Sequence, residues 1–205
     1  MVRSRMRRYR KVFFAVLVTL CAAALASCAS EGIGVFKLTP VKGQAATVSV
    51  HNGQVTLSAR YLDAGQRMTY LQDSGYEPLG LGLRQVSLVT FLVNVRNNST
   101  GELLMDPGSI RLAVGMGPLL SPYNYAHLYM ELPRGSDRQR ILGDLKEAVY
   151  DKSTTIPPGR TMEKLLLFKR PEKVGPEAAL LFQRLYVGGQ ETQAVLDFVA
   201  VDLGK

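Results

Sequence analysis

The chain has 205 residues, of which 46% are hydrophobic, 20% charged and 8% aromatic. This composition excludes a collagen-like or coiled-coil fibre, a low-complexity tail and a disulfide-stapled miniprotein. The formal net charge of +8 is concentrated at one end, because residues 1–27 hold six of the 25 basic residues and no acidic residue. Beyond residue 27, 19 basic residues stand against 17 acidic ones, and this near-neutral balance predicts no nucleic-acid partner.

The N-terminal segment has the order of a secretory signal. Six basic residues within positions 3–11 precede an uncharged apolar run at 12–25. A basic region followed by a short apolar region directs a chain to the translocon. The run is shorter than the roughly 20 residues that a membrane-spanning helix needs. We therefore predict a signal peptide at residues 1–27, with an uncleaved signal-anchor as the alternative because positions 12–30 carry no charge.

The signal ends in Leu25-Ala26-Ser27-Cys28, which resembles the lipobox of bacterial lipoproteins. The resemblance implies that the Cys28 thiol is diacylated and that Cys28 becomes the mature N-terminus. Two or more acyl chains hold a protein stably on a bilayer, so the membrane is the first expected partner. Ala29 stands where Asp would retain a lipoprotein at the inner membrane, which favours the outer membrane, facing the periplasm or the cell exterior.

Residues 28–46 are polar and contain glycine, so they are predicted to form a tether that carries Cys28, with a short first strand at 35–38 as the alternative. A single domain is predicted at 47–205, where apolar and polar residues alternate with the period of a β-strand. The alternating segments are 54–62, 85–96, 109–115, 161–168, 179–187 and 192–201. In the second of them, we expect Phe91 to face the core and Thr90, Leu92, Asn94 and Arg96 to face outward.

One helical segment interrupts the strands. Ser136 is a suitable N-cap, and Ile141, Leu142, Leu145 and Val149 follow at the spacing of a helix with one apolar face. The other segments show no alternation of strand and helix, which favours an antiparallel sheet over a parallel one. The chain is therefore predicted to be mainly β, with one inserted short helix.

Two runs sharpen the fold prediction. The alternating run from Phe91 to Ser99, and the Pro157-Pro158-Gly159 turn before the apolar segment 162–168, resemble strands and turns of immunoglobulin-like domains. The resemblance is to small bacterial lipoproteins with an immunoglobulin-like sandwich, many of unassigned function. It implies an antiparallel immunoglobulin-like β-sandwich.

Motifs of enzymes are missing from the sequence. It contains no G-x-S-x-G, no Walker-type loop, no H-E-x-x-H and no cysteine pair for zinc, so we predict neither an enzyme nor a cofactor. Met105, Met116, His127 and Met130 resemble the Met/His signature of periplasmic copper chaperones, and thioether and imidazole ligands suit Cu(I). Copper handling is therefore the alternative function, although the two residues between His127 and Met130 depart from the single one in that family.

The segment 115–133 holds Tyr123, Tyr125 and Tyr129 among glycine and proline residues. Tyrosine offers a large contact area at low entropic cost, and loops of this kind on rigid sandwiches bind partners. The alternative is that the three rings cover the end of the sandwich. The sequence thus predicts a lipid-anchored envelope protein that serves as a non-catalytic binding or scaffolding module for another envelope protein.

Overall fold

Two antiparallel sheets form the frame of the protein. The computed structural model describes residues 36–41, 45–132, 134–135, 137–173 and 175–202, so the predicted signal peptide, Cys28 and Ser136 lie outside the described residues. Within the described part, one compact unit spans Phe36–Asp202. Its strands are β1 (Phe36–Pro40), β2 (Ala46–Val50), β3 (Val55–Leu62), β4 (Leu88–Asn97), β5 (Leu103–Met105), β6 (Ile110–Val114), β7 (Thr154–Ile156), β8 (Thr161–Lys169), β9 (Glu177–Val187) and β10 (Gln190–Asp202).

The strands divide into two sheets. Sheet A has the order β1-β10-β9-β5-β7, with β6 also paired to β9, and sheet B has the order β2-β3-β4-β8. All of these pairs are antiparallel. The mainly β, antiparallel sandwich predicted from the sequence is confirmed, whereas the immunoglobulin-like connection pattern stays a prediction.

A single apolar core joins the two sheets. On β3, Val55, Leu57 and Ala59 are fully buried, as the two-residue period of a strand requires for one inward face. The Phe91 ring of sheet B lies 5.0 Å from the Phe198 ring of sheet A, measured between centroids. This aromatic contact crosses the space between the sheets.

The folded unit begins before residue 47, where the domain boundary was predicted. β1 pairs with β10 over its full length, from Phe36 opposite Asp202 to Pro40 opposite Phe198. Phe36 and Leu38 are buried in the core between the sheets. For residues 35–38 the sequence predicts either a tether or a short first strand. The structure shows that a strand of sheet A begins here, at Phe36.

Four helices occur among the described residues, where the sequence predicts one. They are α1 (Ala64–Asp73), α2 (Glu77–Leu83), α3 (Tyr125–Glu131) and α4 (Arg138–Ala148). The predicted helix is α4, and the prediction of a single inserted helix is corrected by the other three. A capping box starts α1, since the Asp63 side chain and the Gln66 side chain each bond the other's backbone N–H. None of the helices in this described part has the length and apolar composition needed to cross a bilayer.

The helices form a third layer over the outer face of sheet B. A second apolar core fills the space between them, with Leu92 of β4 and Leu165 and Leu167 of β8 on the sheet side. Leu92 and Thr90 are buried, which corrects the expectation that they face water. β4 is thus covered on both faces, by sheet A on one and by the helices on the other.

Arg67 is a buried cation that joins this helical layer to sheet B. Its side chain is 3% exposed, and its Nη1 donates to the Thr90 hydroxyl at 2.8 Å. Its Nη2 donates at 3.0 Å to the carbonyl of Leu83, at the C-terminal end of α2, where the helix dipole is negative. Burial lowers the pKa of Arg67, and the nearby Tyr61 and Asp63 oppose that shift.

Replacing Arg67 should therefore loosen the helical layer. In Arg67→Ala the Thr90 hydroxyl and the Leu83 carbonyl lose their donors while still buried, so we expect the free energy of unfolding to fall by about 2–4 kcal/mol. Urea denaturation measures this. The control is Arg60→Ala on the exposed side of β3, expected to change it by less than about 0.5 kcal/mol. Equal effects of the two substitutions would contradict the role given to Arg67.

Tyr150 is a second buried polar side chain, placed in the core between the sheets. It is 1% exposed, and its hydroxyl has no hydrogen-bond partner among the described residues. Burial raises the pKa of the Tyr150 hydroxyl above its usual range, and the Asp106 carboxylate raises it further. The folded chain therefore holds this proton more tightly than the unfolded chain does.

This proton links stability to alkaline pH. Above about pH 10 the unfolded chain releases the Tyr150 proton while the folded chain keeps it, so stability falls as pH rises. In that pH range we expect the free energy of unfolding of the parent to fall by up to about 1.4 kcal/mol per pH unit more than that of Tyr150→Phe. Denaturation curves at several pH values measure the difference. The control is Tyr129→Phe, because the Tyr129 side chain is 43% exposed. Parallel profiles for parent and Tyr150→Phe would refute the linkage.

Candidate functional site

The tyrosines predicted to bind a partner lie on α3 and just before it. The segment 115–133 was predicted to be a loop, and the structure corrects this by placing a helix in it. Asn124 is the N-cap, and its side chain accepts a hydrogen bond at 2.9 Å from the N–H of the third helical residue. Because residues four positions apart share a helix face, Tyr125 and Tyr129 lie side by side, while Tyr123 precedes the helix.

Two cations from α4 extend the pair of rings. The Tyr125 and Tyr129 rings are stacked with their centroids 6.3 Å apart. The Arg138 guanidinium lies 4.1 Å from the centroid of Tyr129, and the Lys146 ammonium lies 5.4 Å from that of Tyr125. Both distances suit a cation–π interaction. We call these four side chains, Arg138, Tyr129, Tyr125 and Lys146, the Tyr–cation row.

One hydrogen bond between the two helices fixes the Arg138 end of the row. The Nη2 of Arg138 donates to the carbonyl of Tyr129 at 2.6 Å. A charge-assisted bond of this length holds the guanidinium in place over the ring. Arg138 and Tyr129 are therefore prearranged, and little of their side-chain freedom remains to be lost when a partner binds.

Tyr123 has a different environment from the other two tyrosines. Its backbone N–H donates to the carbonyl of Leu167 on β8 at 2.7 Å. Its ring packs against the second core and lies 5.7 Å from the His127 ring. Burial and the Glu131 carboxylate raise the pKa of Tyr123. Tyr123 thus packs on the outer face of sheet B beside the second core, and its part in partner binding stays a prediction.

Apolar side chains are exposed on the same helices. Tyr129 is 43% exposed, the adjacent Met130 is 80% exposed, and Leu81 of α2 is 49% exposed. α2 approaches the end of α3 closely, since a Cβ on Gly82 would lie 3.2 Å from the Leu132 side chain. The helical layer therefore presents aromatic, methionine and arginine side chains to the outside, residue types that are enriched at protein-binding surfaces.

Arg138 and Lys146 are not among the site residues that the sequence predicts. They are eight residues apart on one helix, which corresponds to two successive steps of four and predicts that they share a face. That spacing was a usable signal. Their position opposite Tyr129 and Tyr125, however, depends on how α3 and α4 pack, and no local pattern contains that information.

The four residues of the copper alternative do not share a surface. Met105 is fully buried in the core between the sheets, whereas Met116 and Met130 are exposed. His127 is exposed on α3. The part of the chain that the structure describes contains no group of three or more His, Cys, Asp or Glu side chains that could hold a metal ion. Copper handling stays a prediction that none of these positions favours.

A polar pocket of about 220 Å³ opens beside β9. Its lining consists of Asp106, Gly108, Ser109, Arg111, Gln183, Arg184 and Tyr186. The Arg111 Nη1 donates to the carbonyls of Gly108 and Ile110, each at 2.7 Å. The single hydrogen of the Ser109 hydroxyl has two acceptors in reach, the carbonyls of Asp106 at 2.8 Å and Arg184 at 3.1 Å. These groups bond the backbone of the pocket itself, so we assign it no ligand.

Comparison with protein-family models and with curated proteins gives no match. Among solved structures, a functionally unknown protein from Listeria monocytogenes is 13% identical, with a TM-score of 0.40 over 80% of this chain and 86% of that one. The yjhA protein from Bacillus subtilis is 10% identical, with a TM-score of 0.37 over 66% and 76%. A secreted protein from Mycobacterium tuberculosis is 12% identical, with a TM-score of 0.33 over 69% and 88%. At these values the similarities carry no argument about function.

Proposed function

We propose that this chain is a lipid-anchored protein of the bacterial cell envelope and that its anchor lies in the outer membrane. We propose further that it acts as a non-catalytic binding or scaffolding module. Its partner is another envelope protein, held on the outer side of the helical layer. The observation that carries the proposal is the Tyr–cation row, which stands prearranged on helices packed against sheet B. The anchor is supported by the lipobox resemblance at Cys28.

The chemistry of the row indicates what it would recognise. Tyrosine and arginine are enriched among the residues that dominate binding energy at protein interfaces. Two cations stand at the ends of two stacked rings, so a partner that offers carboxylates beside an apolar patch would complement the row. The exposed Met130 adds a side chain that adapts to different shapes.

The anchor is tested by replacing its sulfur. In Cys28→Ala there is no thiol to acylate, so we expect the protein to leave the membrane fraction of its native host or to keep its signal peptide. The control is Cys21→Ala, whose cysteine lies inside the predicted signal peptide and whose product should stay with the membrane. Fractionation and mass spectrometry of the N-terminus provide the measurement. An intact Met1 on the membrane-bound parent, with an unacylated Cys28, would favour the signal-anchor and overturn the lipid anchor.

The binding face is tested by truncating the row. We expect Tyr129→Ala and Arg138→Ala each to lower the recovery of a co-purifying envelope protein at least about tenfold, because central aromatic and arginine residues contribute about 2 kcal/mol or more to an interface. The matched controls are Tyr186→Ala and Arg184→Ala on β9, which should leave recovery unchanged. Quantitative mass spectrometry of material crosslinked in intact cells gives the ratio.

Two results would count against this face. If the row variants and the β9 controls recover the same proteins in the same amounts, the row does not bind the partner. If only the β9 variants lose recovery, the partner lies on sheet A. Thermal unfolding of each variant, expected near that of the parent, separates loss of binding from loss of fold.

A further inference from the structure

Several loops lie at the end of the sandwich where the described chain begins. β1 starts there at Phe36, and β10 reaches the same end at Asp202, opposite Phe36. The Phe36 carbonyl accepts a hydrogen bond from the Tyr61 hydroxyl near the end of β3. The turn between β8 and β9 and the turn after β6 also lie there, because Gly115 donates to the carbonyl of Glu177 at 2.8 Å. We call this the entry end.

A tight turn at the entry end presents Met116 to the outside. The Gly117 N–H donates to the carbonyl of Val114 at 3.1 Å and closes the turn. Gly115 has φ +53°, and a Cβ there would lie 2.8 Å from the backbone of Gly175. This position therefore requires glycine, both for its backbone conformation and for the close approach of the β8–β9 turn.

The turn is held rigidly and its tip is apolar. Leu112 and Leu120 exchange two backbone hydrogen bonds of 2.9 Å each, which close a short hairpin below the tip. Met116 is fully exposed and Leu119 is 52% exposed. Residues 112–126 carry no charge at all. An exposed apolar tip on a fixed hairpin indicates a contact surface, because such groups in water otherwise reduce solubility.

Cations lie next to this tip. The β8–β9 turn contains three basic residues and one acid at positions 169–173, and Lys169 and Lys173 are exposed. The Arg170 guanidinium lies 5.2 Å from the Phe36 ring, which places the basic turn beside the start of β1. Apolar side chains bordered by lysines match the interface of a bilayer, where acyl chains lie below anionic headgroups.

The distance to the predicted anchor also limits what this end can meet. Seven residues lie between Cys28 and Phe36, so the two are eight steps apart along the chain. A chain of that length spans at most about 28 Å even when fully extended. An acylated Cys28 would therefore keep the entry end within about one bilayer thickness of the membrane surface. The opposite end of the sandwich is farther from Cys28 by the length of the strands.

We propose that the entry end docks on the bilayer that carries the anchor, with Met116 and Leu119 in the interfacial zone and Lys169 and Lys173 at anionic headgroups. This inference rests on the proposed lipid anchor. It adds a second, non-covalent contact with the lipid, which fixes the orientation of the sandwich on the membrane.

Site-directed fluorescence in vesicles tests the docking. Protein purified from host membranes is placed in vesicles of phosphatidylethanolamine and phosphatidylglycerol that contain a lipid with a nitroxide near the headgroup. Bimane is attached at Met116→Cys, or at Gln190→Cys in the hairpin at the opposite end as control. We expect the quenching of bimane by the nitroxide to be at least about threefold stronger at position 116 than at position 190.

The lysines are tested in the same Met116→Cys background. Lys169→Glu with Lys173→Glu should lower the quenching at least about twofold in these vesicles, because phosphatidylglycerol is anionic. The double substitution should leave the quenching unchanged in vesicles whose bulk lipid is phosphatidylcholine, which carries no net charge. Lys152→Glu, exposed and away from the entry end, is the matched control and should have no effect. Added salt should act in the same direction as the double substitution.

The outcomes separate this inference from the anchor itself. The parent chain, treated with bimane, takes up no label if Cys28 is acylated and Cys21 has left with the signal peptide. An unlabelled parent together with equal quenching at positions 116 and 190 overturns the docking and leaves the anchor standing. A labelled parent overturns both. Loss of quenching with Lys152→Glu as strong as with the entry-end pair would overturn the role of the two lysines.

Discussion

The architecture depends on one strand that is buried on both of its faces. Along β4, Phe91 turns toward sheet A and packs against Phe198, whereas Leu92 turns toward the helices. The alternation of side chains along a strand means that a single backbone supplies both cores. Since β3 and β8 pair with β4 on either side, the two cores meet in sheet B, and a change in the position of β4 would disturb both.

The helical layer gains its rigidity from this strand. Thr90 and Leu92, on the outer face of β4, are the groups that the helices cover, and Arg67 bonds Thr90 directly. A buried cation is costly unless it is hydrogen-bonded, so the bonds of Arg67 to the Thr90 hydroxyl and to the end of α2 fix how α1, α2 and sheet B fit together. α3 and α4 pack on the same core, which is why the Tyr–cation row has a defined geometry.

The sequence predicted the strands better than the helices, for a physical reason. An alternation such as that of Val55, Leu57 and Ala59 is local and is read directly. Whether Leu92 contacts water or a helix depends on residues outside its own strand. The sequence therefore predicted correctly that Leu92 faces away from the core between the sheets, but not that the helices bury it. α2 escaped prediction because Gly80 and Gly82 have low helix propensity, although the lack of a side chain is what permits its close packing. The tyrosines could be found from sequence, but the cations beside them required the packing of α3 on α4.

The proposed anchor and the proposed binding face depend on each other energetically. A row of two rings and two cations is small beside an interface that buries the usual area, so its affinity for a free partner would be modest. When both proteins are confined to one membrane, the effective concentration of the partner rises to about the millimolar range, and a modest affinity suffices. Docking of the entry end would strengthen this effect, because it restricts the orientations in which the row is presented. The row belongs to α3 and α4, whereas Met116 and Leu119 belong to the turn after β6. A sandwich held at its entry end would therefore leave the row accessible to a neighbour on the same membrane.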